Sequence, residues 1–122
     1  MSVFYLKLRA VDRDRNIDRD YDILVLNVLF GCWGVTLAFG RHGTRGILKN
    51  YVFDSQEEAQ RFVYKTLQKR LRAPKRIGCP YRLVSAETST DQDLSSWLVS
   101  EQQDRFVGEP LFNQKLTKTK SF

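Results

Sequence analysis

The chain has little with which to do covalent or metal chemistry. Its one histidine, His42, and its two cysteines, Cys32 and Cys79, lie far apart in sequence and cannot supply the ligand set of a metal centre. No Ser-His-Asp or Cys-His arrangement stands out. No glycine loop of the GxxxxGK type is present, because GRHGTRG at residues 40–46 follows a strand and leads into another strand. The sequence therefore points away from an enzyme, and neither a metal nor a cofactor is expected. Two cysteines do not make a disulfide framework, so both are expected to act as small buried apolar residues. An export signal is also missing, since Lys7 and Arg9 interrupt the first apolar residues. A reducing, cytoplasmic compartment is the expectation that follows.

Long apolar runs are scarce. The one that could matter is ILVLNVLFGCWGVTLAFG, residues 23–40, which carries no charge. Its length reaches the lower limit for a membrane-spanning helix. Against that reading stand Asn27, Thr36, three glycines and the β-branched valines and isoleucine. The break at Phe30-Gly31-Cys32 reads as a turn, so the run is expected to be a buried β-hairpin and no membrane partner is expected.

What the chain does have is positive charge. A net charge of +6 and a pI near 9.5 favour polyanionic partners. Residues 1–84 hold sixteen Lys and Arg against eight Asp and Glu, whereas residues 85–122 hold four against six. The basic character thus belongs to the part of the chain with the clearest folding pattern. At 122 residues the chain is expected to form one domain with an appendage, divided into a folded unit at 1–84 and a polar C-terminal extension at 85–122.

The periodicity predicts four strands, then a helix, then a final short strand. VFYLKLRAV at 3–11 alternates, with Phe4, Leu6 and Leu8 on one face and Tyr5, Lys7 and Arg9 on the other. DRDRNIDRD at 12–20 is expected to be a loop. Strands follow at 21–30, 32–39 and 47–53. Ser55 and Glu58 form a capping-box pattern, and Ala59, Phe62, Val63, Thr66, Leu67 and Leu71 then fall on one helical stripe, up to Pro74. Arg61, Lys65, Gln68, Lys69 and Arg72 line the other face. Residues 75–84 are expected to lead by a loop into the last strand. The fold class is α+β: a twisted antiparallel sheet of four to five strands with one main helix packed on it. In the extension, Leu94, Trp97 and Leu98 suggest a short helix within 91–103 that docks back on the domain. A mobile tail is expected past Gly108.

FGRHGTRG, residues 39–46, concentrates glycine and positive charge. Gly40, Gly43 and Gly46 permit positive φ and a close approach of ligand to backbone. Their N–H groups can form an anion-binding concavity. Arg41 and Arg45 add planar donors suited to phosphate, and Phe39 could lie against a sugar or base. Two plainer readings stand beside this one: an ordinary glycine hairpin, with Phe39 in the core because it shares parity with Trp33.

The order of these parts resembles the WGR domain, found in DNA-dependent poly(ADP-ribose) polymerases and in small bacterial proteins. The family's strand ending in W-G-R-x-G-x-x-G is matched by Phe39-Gly40-Arg41-His42-Gly43-Thr44-Arg45-Gly46. Its Asn-containing loop and aromatic-led strand are matched by Asn16 to Tyr21, and its S-x-x-x-A helix start by Ser55 to Ala59. Lys75, Arg76, Gly78 and Tyr81 approximate its closing segment. The resemblance covers about residues 3–84, with Phe39 in place of the motif Trp. It implies a stand-alone module that binds DNA at breaks and ends, with Phe39 as the stacking residue and Arg41 as a contact residue. Asn16, Arg19 and Tyr81 are further candidates by the same resemblance.

Together these readings predict a non-catalytic nucleic-acid-binding module for DNA ends, nicks or junctions, with RNA as the alternative polymer. The expected site comprises Phe39, Gly40, Arg41, Gly43, Arg45, Asn16, Arg19 and Tyr81. The rival reading is a protein-interaction adaptor that uses the same basic loop together with the Trp97 segment.

Overall fold

The computed structural model describes residues 2–108. In chain order the elements are β1 (Ser2–Asp12), β2 (Ile17–Asn27), β3 (Trp33–Arg41), β4 (Ile47–Phe53), α1 (Gln56–Arg70), α2 (Ala73–Arg76), β5 (Arg82–Thr88), α3 (Leu94–Trp97) and α4 (Ser100–Val107). The strands form one antiparallel sheet in the order β4-β3-β2-β1-β5. The helices cover one face of it, which makes the α+β architecture expected from the periodicity. Residues 23–40 form the β2–β3 hairpin, turning at Leu29–Gly31. Among the described residues no helix is long and apolar enough to cross a membrane.

Strand alternation sorts the side chains. Phe4, Leu6, Leu8 and Ala10 of β1 face the helices and are buried, as are Tyr21, Ile23 and Val25 of β2 and Trp33, Val35 and Leu37 of β3. Ala59, Val63, Thr66 and Leu67 of α1 close over them. The helix starts where the capping pattern predicts. Ser55 Oγ accepts from the Glu58 N–H at 3.2 Å, while Glu58 Oε1 accepts from the Asp54 N–H at 3.2 Å, one residue before the cap. α1 ends at Arg70, before Pro74. The proline instead sits in the first turn of α2, where its missing N–H costs nothing.

One segment differs from its sequence reading. The charged stretch 12–20 is mostly strand: only Arg13–Arg15 turns, and Asn16 exits it in the left-handed region at φ 57°. From Ile17 the chain is already β2. Opposite charges across β1 and β2 hold it there. Arg9 donates both Nε and a terminal N–H to the Asp18 carboxylate, each at 2.9 Å. Lys7 Nζ lies 3.2 Å from Asp22 Oδ1, and the Tyr5 hydroxyl donates to Asp22 Oδ2 at 3.1 Å. Turn-forming residue types are thus overruled by cross-strand pairing.

Residues 85–107 complete the core. β5 runs on to Thr88 along the free edge of β1. The expected helix within 91–103 is two helices, α3 and α4, separated by extended backbone at Leu98 and Val99. Trp97 docks as its pattern suggested. Its ring stacks on Phe4 at 5.9 Å and meets Trp33 at 6.0 Å, and its indole N–H donates to Gln92 Oε1 at 3.0 Å. Leu98 and Phe106 are fully buried. Gln102, also buried, donates to the Tyr64 carbonyl at 3.2 Å and to Gln68 Oε1 at 2.8 Å, which ties α4 to α1. The tail expected past Gly108 lies outside the described residues.

Removing the Trp97 ring leaves a cavity between Phe4 and Trp33 that helix α3 cannot fill. Trp97→Ala should lower the stability of the chain by about 3–5 kcal/mol in urea denaturation. A loss below about 1 kcal/mol would mean that α3 contributes little to the core.

Candidate nucleic-acid interface

The loop between β3 and β4 is built on glycines with distinct duties. Gly40 and Gly46 press against each other at its base: a Cβ on Gly40 would come within 2.9 Å of the Gly46 Cα, and one on Gly46 within 2.5 Å of the Phe39 carbonyl oxygen. These two close the hairpin. Gly43, at φ 87°, has open space around it and marks the exposed crest. The Thr44 N–H and hydroxyl both donate to the Arg41 carbonyl, at 3.1 and 2.7 Å. Arg41 bridges to the β1–β2 turn, donating to the Asn16 carbonyl at 3.1 Å and to its Oδ1 at 3.0 Å. The remaining guanidinium N–H groups of Arg41 are not used in those two bonds. Arg45 is exposed on the far arm of the loop.

Behind this loop, on the helix-covered face, the sheet end carries a group of rings. Phe39 stacks on Tyr21 at 5.3 Å with an interplanar angle of 10°, and Tyr81 meets Tyr21 edge-on at 6.1 Å. Cations surround them. The Arg70 guanidinium lies over the Tyr21 ring at 4.5 Å, and Lys49 Nζ is 5.9 Å from the Phe39 centroid. Arg19 and Arg41 are register partners on β2 and β3, on the same face as Phe39 and Tyr21. The three aspartates of β2, Asp18, Asp20 and Asp22, alternate to the opposite face, where His42 Nδ1 lies 2.8 Å from Asp20 Oδ2. The sheet end is therefore basic and aromatic on one side, while on the other the aspartates are paired with Lys7 and Arg9.

The family model of the WGR domain matches residues 4–73 of the 122-residue chain. The chain belongs to the WGR domain family. A search of curated proteins finds no match. The match runs from β1 to the first residue of α2, so β5, α3 and α4 are additions to the matched WGR segment that nonetheless fill its core.

Within this WGR domain the residues singled out in the sequence fall into three places. Phe39, Arg19 and Tyr81 gather at the ring group. Arg41 and Asn16 bond to each other beside it, and Gly40, Gly43 and Arg45 belong to the loop. The basic face of α1, by contrast, places Arg61 and Lys65 beside Phe53 and Phe62, along the helix from this end. Three members escaped the sequence reading: Tyr21, Lys49 and Arg70. Arg70 did carry a signal, for it continues the Val63, Thr66 and Leu67 stripe at helical spacing and is thus a cation on an apolar face. Tyr21 was readable through the alternation of RDY at 19–21, once those residues are taken as strand.

Burial pushes the Tyr21 and Tyr81 hydroxyls above the usual tyrosine value of 10.0, against the opposing pull of Arg70. On the other face, burial and then the nearby Asp22 charge push Tyr5 up to about 12. A tyrosine raised in the fold binds its proton more tightly than in the unfolded chain. Its contribution to stability is complete below pH 10 and is lost as pH rises toward the folded value. Phenolate absorbance from these three should therefore appear together with alkaline unfolding, above pH 10, and Tyr5→Phe should flatten the loss of stability between pH 10 and about 12. Complete ionisation of all five tyrosines near pH 10 with the fold intact would contradict this assignment.

Proposed function

We propose that this WGR domain binds nucleic acid at the basic, aromatic end of its sheet, and that the ligand is DNA with an end, nick or junction. The WGR domain is a non-catalytic module of nucleic-acid-binding type in poly(ADP-ribose) polymerases. The observation that carries the reading for this chain is the segregation of charge across β2: Arg19, Arg41, Lys49 and Arg70 around Phe39, Tyr21 and Tyr81 on one side, three aspartates on the other. On the aspartate face Lys7 and Arg9 are held by those carboxylates, so the ring face is the one that offers a phosphate backbone net positive charge. Guanidinium groups contact phosphates without reading bases, so recognition is by strand shape and terminus, not by sequence. The half-buried ring of Phe39 supplies a surface for a terminal sugar or base. Tyr21 stiffens it from behind. Arg41 has a second duty, since it also braces the loop to Asn16. In the rival adaptor reading Trp97 would meet a protein partner, but its ring is 2% exposed and belongs to the core.

Fluorescence anisotropy with blunt duplex, nicked duplex and single strand, each with and without a 5′ phosphate, tests the proposal. Binding should favour ends or nicks, with log K falling against log salt at a slope of roughly −3 to −4. Arg19→Ala and Arg45→Ala should each reduce the slope by about one. Phe39→Ala should cost about 1–3 kcal/mol at unchanged slope. Arg41→Ala should do more than either single arginine, because the loop also loses its brace. No binding by the folded protein at low salt would sink the reading.

A further inference from the structure

The two edges of the sheet are treated very differently. An exposed edge strand invites pairing with another chain, and proteins prevent this with bulges, prolines, charges or a covering element. The β5 edge has such protection. Its ladder shifts register between Lys7 and Leu8, it carries Arg82 and Glu87, and α3 and α4 pack on it. The β4 edge has less: α1 packs on its helix-side face, where Phe62 meets Tyr51 and Phe53, and its open face is uncovered. Its seven residues, ILKNYVF, pair without a break to β3, from Ile47 opposite Phe39 to Phe53 opposite Trp33. It contains no proline, and Lys49 is its one charge. Three of its apolar side chains are left in water: Ile47 at 54%, Leu48 at 63% and Val52 at 69% exposure. On the open face Leu48 has only Ala38 beside it and Val52 only Gly34, so both stand clear of the sheet. Asn50, between them, accepts from the Thr36 hydroxyl at 2.7 Å.

We propose that β4 is a dimerisation edge: it pairs antiparallel with β4 of a second copy of this chain, joining two sheets into one about a two-fold axis through Asn50. Such an axis, normal to the sheet, sets one residue opposite itself and keeps each face continuous. Three centres bring most of the strand together. Centring on Lys49 places two ammonium groups opposite each other, which is unfavourable. Centring on Tyr51 pushes Ile47 and Leu48 beyond the partner strand. Centring on Asn50 pairs all seven residues. It sets Leu48 against Val52 of the second copy twice over, and Lys49 against Tyr51 of the second copy. The resulting open-face seam of Leu48, Asn50 and Val52 has no charged residue. The antiparallel arrangement sends the two basic loop ends in opposite directions along the strands. On that open face two chains of net charge +6 meet without opposed charges, and on the helix side Lys49 of each lies against Tyr51 of the other. The register is self-complementary, and the partner it fits is a second copy.

Sedimentation velocity on the full chain, in reducing buffer and without nucleic acid, tests this separately from the DNA reading. A reversible, concentration-dependent dimer is expected. Val52→Lys, at an exposed position that leaves the core untouched, should weaken it by about tenfold or more, since a charge is then set against Leu48 of the second copy. In an independent test, Asn50→Cys brings two thiols together at the axis. The Cα separation across a paired strand, about 4.5–5.5 Å, suits a disulfide. Mild oxidation should convert this variant to a covalent dimer that reduction reverses, while Thr36→Cys, one strand inward, should not cross-link. A monomer at every concentration overturns the proposal. So does a dimer indifferent to Val52→Lys, or an Asn50→Cys variant that cross-links no faster than the wild type with its Cys32 and Cys79.

Discussion

Everything in this chain is organised by the two-residue period of its central strand. β2 lies third of five in the sheet, flanked by β1 and β3 along its length. Its odd-numbered residues point to the helices and its even-numbered residues to the open face. Farther along, that period buries Ile23 and Val25. Near the turn, it parts Arg19 and Tyr21 from Asp18, Asp20 and Asp22. One alternation thus builds both the apolar core and the polarity of the proposed interface. A slip of one residue in the β1–β2 register would exchange the two faces and bury carboxylates against the helices. The Arg9–Asp18 and Lys7–Asp22 pairs oppose that slip. The Arg9 guanidinium, bonded to Asp18, also holds that carboxyl below the usual carboxylate range.

The family match ends at Ala73, but the hydrophobic core does not. Trp97, Leu98 and Phe106 reach back over the sheet from beyond the matched region, and the Gln102 amide N–H groups donate to Tyr64 and Gln68 of α1. The matched segment contributes four of the five strands and α1. Those alone leave Phe4 and Trp33 without the ring that stacks on them. The C-terminal helices close that side of the core while leaving the ring group at the loop end beside Arg70 and Lys49. The part of the chain that adds stability and the part proposed to meet a ligand are therefore at different places on the same face.

The glycine-rich loop shows how one motif serves two ends. Gly40 and Gly46 are demanded by the hairpin itself, because any side chain there would strike backbone across the turn. The plain hairpin reading is thus correct for them. Gly43 and the arginines are free of that demand. Phe39, likewise, is both core and surface: it stacks on Tyr21 beneath and presents its edge of the sheet to solvent. The hairpin reading is met by Gly40 and Gly46, and the proposed anion contact is left to the other residues of the loop.

Arg19 and Tyr81 entered only through the family resemblance, whereas the succession of strands along the chain, the α1 cap and the buried helix stripe were legible from residue types and spacing. Such features depend on local periodicity and short-range hydrogen bonding, which a linear sequence records directly. The extent of β2 was not legible. Residues 17–20 have turn-forming composition, and only their partners on β1, contributed from a separate part of the chain, make them a strand. The same holds for Arg70 and Lys49, whose place beside Tyr21 and Phe39 depends on how α1 and β4 lie against the sheet. By itself the sequence determined an α+β chain with a basic front and a glycine loop. Tertiary structure decided which cations share a face and which sheet edge is left open, because both depend on contacts between residues far apart in the chain.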